Sequence, residues 1–291
     1  MAKAIGIYPH HQIFGVGIYR EIKLAGKPGP DQRILDLTAD ELRKRGIEVS
    51  IKKPEEFTGK ESADLIFTMA RGKEINEILM KKERRGVFVI NSPNAIRFSF
   101  NRKLTYQKMK ELGANVPETK VMKVEDVKFS DIEEKSILKP SNRHEFWFVI
   151  DPLRNTISNG VENENDFEKA IREYKNQGIG EIIIQRFIEG KHIKYYAIGE
   201  EVILPQNIKE EISKEVIEKI KKQARLTGKA TGLLIFGGDF MVKGNIPFCV
   251  DANDWPSMGS IEGFTQEEAA KKIADLIEKE YNAYRKFQKN I

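Results

Sequence analysis

Cysteine is almost missing from this chain: one residue, Cys249, in 291. An intrachain disulfide is excluded, and a reducing compartment is expected. Only four histidines accompany that thiol, which argues against a structural zinc site. Cys249 lies within an apolar run and reads as a core residue, not a nucleophile. Long hydrophobic runs are missing too. None approaches the ~20 residues of a bilayer span, and the opening MAKAIGIYPHH lacks an apolar signal-peptide segment. The expectation is a cytoplasmic chain with no membrane association. Neither sign of charge dominates, because 49 basic against 44 acidic residues leave only +5, spread along the chain. With no aromatic–basic platform, the balance suits a small anionic substrate and not nucleic acid. What is abundant is charge of both signs together, 32% of residues, rich in Lys and Glu beside many Ile, a composition that leans toward a thermophile.

The length suggests two or three subdomains, and no internal repeat or low-complexity segment interrupts it. Strands and helices alternate, which predicts an α/β plus α+β chain. Strands are expected at 4–8, 47–52, 64–70 and 87–90, with helices at 30–45 and 73–85, the first closed by Gly46. This front piece reads as a small open sheet flanked by helices. The turn-rich Asn91-Ser92-Pro93-Asn94 marks a boundary after it. The expected division is therefore 1–93, 94–180 and 181–291. A helix over 102–112 follows, then strands at 117–122, 136–139 and 146–150 and a helix over 165–177. Strands at 181–188, 193–202, 233–242 and 246–251, with helices over 211–228 and 265–284, make an antiparallel α+β unit.

The segment FCVDANDWPSMGS holds the densest chemistry. Residues i and i+2 of a strand share a face, so Asp251 and Asn253 project together as two hard oxygen ligands. A turn at Gly244-Asn245 folds this strand back on FGGDFMVKG and brings Asp239 beside them. Neighbouring carboxylates repel, and a cation is the simplest reason to gather them. Lys139, ending the apolar strand SILKPS, needs a partner for its ammonium, and a phosphate would serve. Lys103 opens a helix, where a bound anion would offset the unfavourable dipole, with Arg102 beside it as a rival. IIIQRFIEG presents polar Gln185 after three isoleucines and suits the wall of a flat ligand. Lys194 shares a strand face with His192 and Tyr196. His10, His11 and Arg20, in the expected loop and helix after the first strand, and Arg71, just past the third, are candidate anion contacts at strand ends. Trp255 reads as a packing residue.

Taken in order, these features resemble the ATP-grasp superfamily from about Arg71 to the C-terminus. The resemblance implies a pre-ATP-grasp α/β domain followed by two α+β lobes that clamp ATP. Lys103 and Lys139 would contact phosphates or the adenine edge, and Gln185, Arg186, Phe187 and Ile188 would form the adenine hinge. Lys194 would sit near the γ-phosphate, and Asp239, Asp251 and Asn253 would ligate Mg²⁺, usually two ions, with Mn²⁺ as a substitute. The stretch NSPNAIRFSFNRKLTYQKMKELGANVPET is similar to the ribosomal-protein glutamate ligases. The glycine-free SNRHEFWFVID, with His144-Glu145, and GKHIKYYAIG are more like the inositol polyphosphate kinases, and His144 would hydrogen-bond a phosphate oxygen. The resemblance implies a carboxylate–amine or carboxylate–thiol ligase acting through an acyl phosphate. The alternatives are a kinase for a polyol-like hydroxyl and a non-catalytic nucleotide-binding module. A homodimer is compatible with all three.

Overall fold

The computed structural model describes residues 1–9, 29–132, 134–142, 148–150 and 164–290. His10, His11, Arg20, His144 and Glu145 lie outside the described residues.

The front of the chain runs β1 (Lys3–Ile7), α1 (Pro30–Lys44), β2 (Glu48–Lys52), β3 (Leu65–Thr68), α2 (Lys73–Arg84) and β4 (Phe88–Ile90). Its four strands form a parallel sheet in the order β2-β1-β3-β4. β3 is buried along its whole length, because helices cover both faces of a parallel sheet. α1 begins at Pro30, whose missing N–H costs nothing in the first turn. It buries Ile34, Leu35, Thr38, Ala39 and Leu42, one stripe of a 3.6-residue period.

Next come α3 (Pro93–Phe100) and α4 (Arg102–Glu111). The cluster Asn91–Asn94, expected as a turn, is instead a helix start. Ser92 Oγ accepts from Ala95 N at 3.2 Å and Pro93 is the first helical residue. Turn chemistry and N-cap chemistry use the same residue types, which is why the two readings coincide in sequence.

The middle unit holds β5 (Thr119–Lys123), β6 (Ser136–Pro140), β7 (Phe148–Ile150), α5 (Glu164–Asn176) and β8 (Glu181–Arg186). They pair antiparallel in the order β5-β8-β6-β7. A division placed at residue 181 thus falls just ahead of β8, which lies inside the middle sheet, between β5 and β6.

The back unit holds β9 (Lys191–Ile198), β10 (Glu201–Ile203), α6 (Ile208–Glu211), α7 (Lys214–Thr231), β11 (Ile235–Lys243), β12 (Ile246–Asp254) and α8 (Gln266–Gln288). Its sheet order is β10-β9-β11-β12, all antiparallel. The strand expected over 193–202 is a hairpin, β9–β10, turning at Gly199, whose φ of +59° suits glycine.

Two cores cross the unit boundaries. One joins Leu35, Leu42 and Phe67 of the front to Trp255, Ile273 and Ile277 of the back, so that α8 packs on α1. The other joins Tyr106 and Met109 of α4 to Ile220, Ala224, Phe240 and Cys249, with Ile183 from the middle sheet. Among the described residues no helix is long and apolar enough to cross a membrane.

Candidate active site

The expected strand ending at Asp251 continues to Asp254, which keeps Asp251 and Asn253 on one face of β12. Asn253 Nδ2 donates to Asp251 Oδ2 at 2.8 Å. Register aligns a row of charge across three strands: Lys194 of β9 opposes Asp239 of β11, and Asp239 opposes Asp251 of β12. Two carboxylates directly opposite each other are unfavourable alone. Cations flank them on both sides. Lys194 Nζ is 3.2 Å from Asp239 Oδ1, His192 Nε2 shares a 2.7 Å hydrogen bond with the same oxygen, and Arg102 Nη2 is 3.7 Å from Asp251 Oδ1.

Immediately past this row the register slips. Asp239 pairs Asp251, but Phe240 pairs Cys249, which leaves Val250 as the extra residue of a β-bulge. Its carbonyl turns toward the middle unit and accepts from Tyr106 Oη at 2.8 Å and from Lys139 Nζ at 2.7 Å. Lys139 also donates to Gln185 Oε1 at 2.9 Å. Lysine has only donors, so this bond fixes which end of the Gln185 amide faces it. Lys139 is 6% exposed, and burial lowers its ammonium to about 8, against the pull of Asp251, which raises it. The opposite wall is Arg102, 4% exposed, whose Nη1 donates to Pro140 O at 3.2 Å and whose main-chain N donates to Ser141 O at 2.8 Å. The acidic row with its hard oxygen donors is therefore met directly by two buried cations, Lys139 at the Val250 carbonyl and Arg102 at Asp251.

No protein-family model and no curated protein matches this chain. Solved structures do. D-alanine–D-alanine ligase from Bacillus anthracis complexed with ATP superposes with a TM-score of 0.68 at 15% identity, covering 99% of this chain and 100% of that one. A RimK domain protein of the ATP-grasp type from Sphaerobacter thermophilus gives 0.65 at 16% identity over 94% of this chain and 99% of its own. The ATP-grasp ligase PsnB, complexed with a minimal precursor, Mg and ADP, gives 0.63 at 13% identity over 96% and 98%. This chain has the ATP-grasp fold. The middle and back sheets are its two lobes, and the parallel sheet is the domain in front of them.

Lys139, Gln185, Lys194, Asp239, Asp251 and Asn253 form one cluster where the middle and back lobes meet. Lys103 does not face it. Its side chain is exposed and meets Glu181 at 3.4 Å, whereas the rival Arg102 points inward. On α4, Arg102, Thr105, Tyr106 and Met109 form the buried stripe, and Lys103 lies off it. In the hinge, Arg186 N–H is taken by Glu118 O at 2.9 Å and Phe187 N–H by Lys135 O at 2.9 Å. Arg186 itself reaches out to Glu134. Ile188 N–H has no acceptor among the described residues. Arg71 lies against Asp254. Tyr106 and the Val250 carbonyl are site groups that sequence reasoning passed over, since neither a bulge nor the partner of a tyrosine hydroxyl is visible in one strand.

The donor set fits a hard divalent cation. No three His, Cys, Asp or Glu side chains cluster as a metal site among the described residues. The set is two carboxylates plus the Asn253 amide, which presents its oxygen after a half-turn. So sparse a set suits Mg²⁺, which keeps waters and phosphate oxygens in its shell.

Proposed function

We propose that this chain is an ATP- and Mg²⁺-dependent ligase that joins a carboxylate to an amine or thiol through an acyl phosphate. The observation that carries the reading is the row Lys194–Asp239–Asp251, with Asn253 beside it, facing Lys139 and Arg102. The ligase chemistry of the structural neighbours supports it. Bound Mg²⁺ would be held by Asp239, Asp251 and Asn253 and would neutralise charge on the β- and γ-oxygens of ATP. Lys139 and Arg102 approach from the middle-lobe side and orient the phosphates, and Ile188 N–H reads the base. Lys194 lies next to Asp239 and offsets charge on the transferring phosphoryl group. A carboxylate oxygen of the substrate attacks the γ-phosphorus and ADP leaves. The acceptor nucleophile then attacks the acyl carbon, releases phosphate and gives up its proton.

The test is phosphorus NMR of the protein with Mg²⁺, ATP and pooled carboxylates and amines. ADP with matching free phosphate, formed only when both pools are present, is the expected result. A stable phosphomonoester without free phosphate would instead mean a kinase acting on a hydroxyl, the alternative suggested by His144-Glu145. No turnover with any pool would leave a nucleotide-binding module. Asp251→Ala is expected to keep the fold by circular dichroism and to lower turnover at least about 10²-fold.

A further inference from the structure

Three side chains at the strand ends of the front sheet reach across to the back lobe. Phe67 of β3 packs its ring 6.4 Å from that of Trp255. Asn91, just after β4, accepts from Leu234 N and Ile235 N at 2.9 Å each and donates to Ile235 O at 2.7 Å, which holds the start of β11. Arg71, three residues beyond β3, holds the end of β12. Its Nη2 donates to Asp254 O at 2.8 Å and its Nε lies 3.0 Å from Asp254 Oδ1. Asp254 is 1% exposed. A carboxylate so buried needs a cation, and among the described residues Arg71 is in contact with it.

The position of this contact matters more than its strength. Asp254 follows Asn253 directly, and its pairing with Phe236 is the last rung between β11 and β12. The chain then turns sharply at Trp255, whose φ is +20°. Arg71 thus holds the residue that follows Asn253 by main chain and side chain together. The backbone that carries the Asn253 side chain is therefore anchored one residue downstream.

We propose that Arg71 is a positioning residue: by its two-point hold on Asp254 it sets the Asn253 amide for the metal and ties the metal strand to the front domain. This inference rests on the assignment of Asp239, Asp251 and Asn253 as metal ligands. It gives Arg71 a role different from the anion contact expected of it.

The experiment compares wild type with Arg71→Met and Arg71→Lys. Binding of ADP is measured by calorimetry in chelator and across a Mg²⁺ titration, and Mn²⁺ binding by electron paramagnetic resonance. For Arg71→Met the expected result is unchanged ADP binding in chelator and a metal half-saturation raised about 10–100-fold. Added guanidinium ion is expected to restore part of the loss. Arg71→Lys, which keeps the charge but cannot span both oxygens, is expected to behave like Arg71→Met, and it carries the test if the methionine variant fails to fold. Wild-type metal affinity in both variants overturns the inference and leaves the metal assignment standing. Equal losses with and without metal also overturn it, since that is the mark of a merely structural contact. A wild-type protein whose nucleotide binding ignores metal would remove the metal assignment, and this inference with it.

Discussion

At the scale of single residues, Lys139 carries the most unusual chemistry. It is a buried ammonium held by two neutral acceptors, with burial setting it near 8 and Asp251 opposing that shift. An ordinary lysine in the unfolded chain titrates at about 10.4. Between about 8 and that value the folded protein has lost a proton that the unfolded chain keeps, so this group makes stability rise with pH across the window. Phosphate affinity runs the other way and is expected to fall as pH climbs through about 8 and the charge disappears. Lys139→Met should flatten both profiles. Its nucleotide affinity is expected to drop about 10–100-fold, the worth of one charge-assisted hydrogen bond. Its melting temperature should stay near that of wild type, because relief of a buried charge offsets the lost bonds. Calorimetric titration from pH 7 to 9, beside thermal melts, checks all of this. An unchanged affinity with a collapsed melting temperature would make Lys139 a structural residue.

At the scale of elements, the β11–β12 hairpin decides the site. Its bulge at Val250 sends one carbonyl to Lys139 and Tyr106 while the rungs beyond it keep Asp239 opposite Asp251. Gly238 permits the close approach of the two strands there. A Cβ at that position would stand 2.1 Å from Asp251 O, a main-chain atom that cannot swing aside. Gly238→Ala is therefore expected to destabilise the protein by about 1–3 kcal/mol or more and to abolish metal-dependent turnover by displacing Asp251. Chemical denaturation and a Mg²⁺ titration of activity measure the two effects. The pairing of Asp239 with the Asp251–Asn253 strand was legible in sequence, because a two-residue turn at Gly244-Asn245 separates two apolar alternating runs. The bulge was not, since an extra residue shows only against its partner strand.

At the scale of the whole molecule, α8 makes the front and back units one body. Ile277 is fully buried in the core that also contains Leu35, Leu42 and Phe67. Ile277→Ala is expected to cost about 2–5 kcal/mol. The loss should lower hydrogen-exchange protection in β1 and β3 as much as in β9 and β11. Protection falling only in the back sheet would mean that the two units unfold independently. The middle sheet has its own core of Leu138, Phe167, Ile171, Tyr174 and Ile182. Its tie to the rest of the site runs through Lys139, Gln185 and the Arg102 contacts at Pro140 and Ser141.

The sequence by itself determined whatever depends on local period and composition. Asp251 and Asn253 share a face because strands alternate. Cys249 is buried because it lies in an apolar run, and α1 and α8 are helices because their apolar residues recur every three to four positions. Tertiary structure alone decided which of two adjacent cations turns inward. Arg102 and Lys103 have the same charge and differ by one step of about 100° around α4, and only the packing of Tyr106 and Met109 on the back-lobe core sets that rotation. Tertiary structure also decided that Val250 offers its carbonyl and that Arg71 grips Asp254, contacts between residues more than a hundred positions apart. Such pairings depend on which sheets meet, and no local period of the chain encodes that.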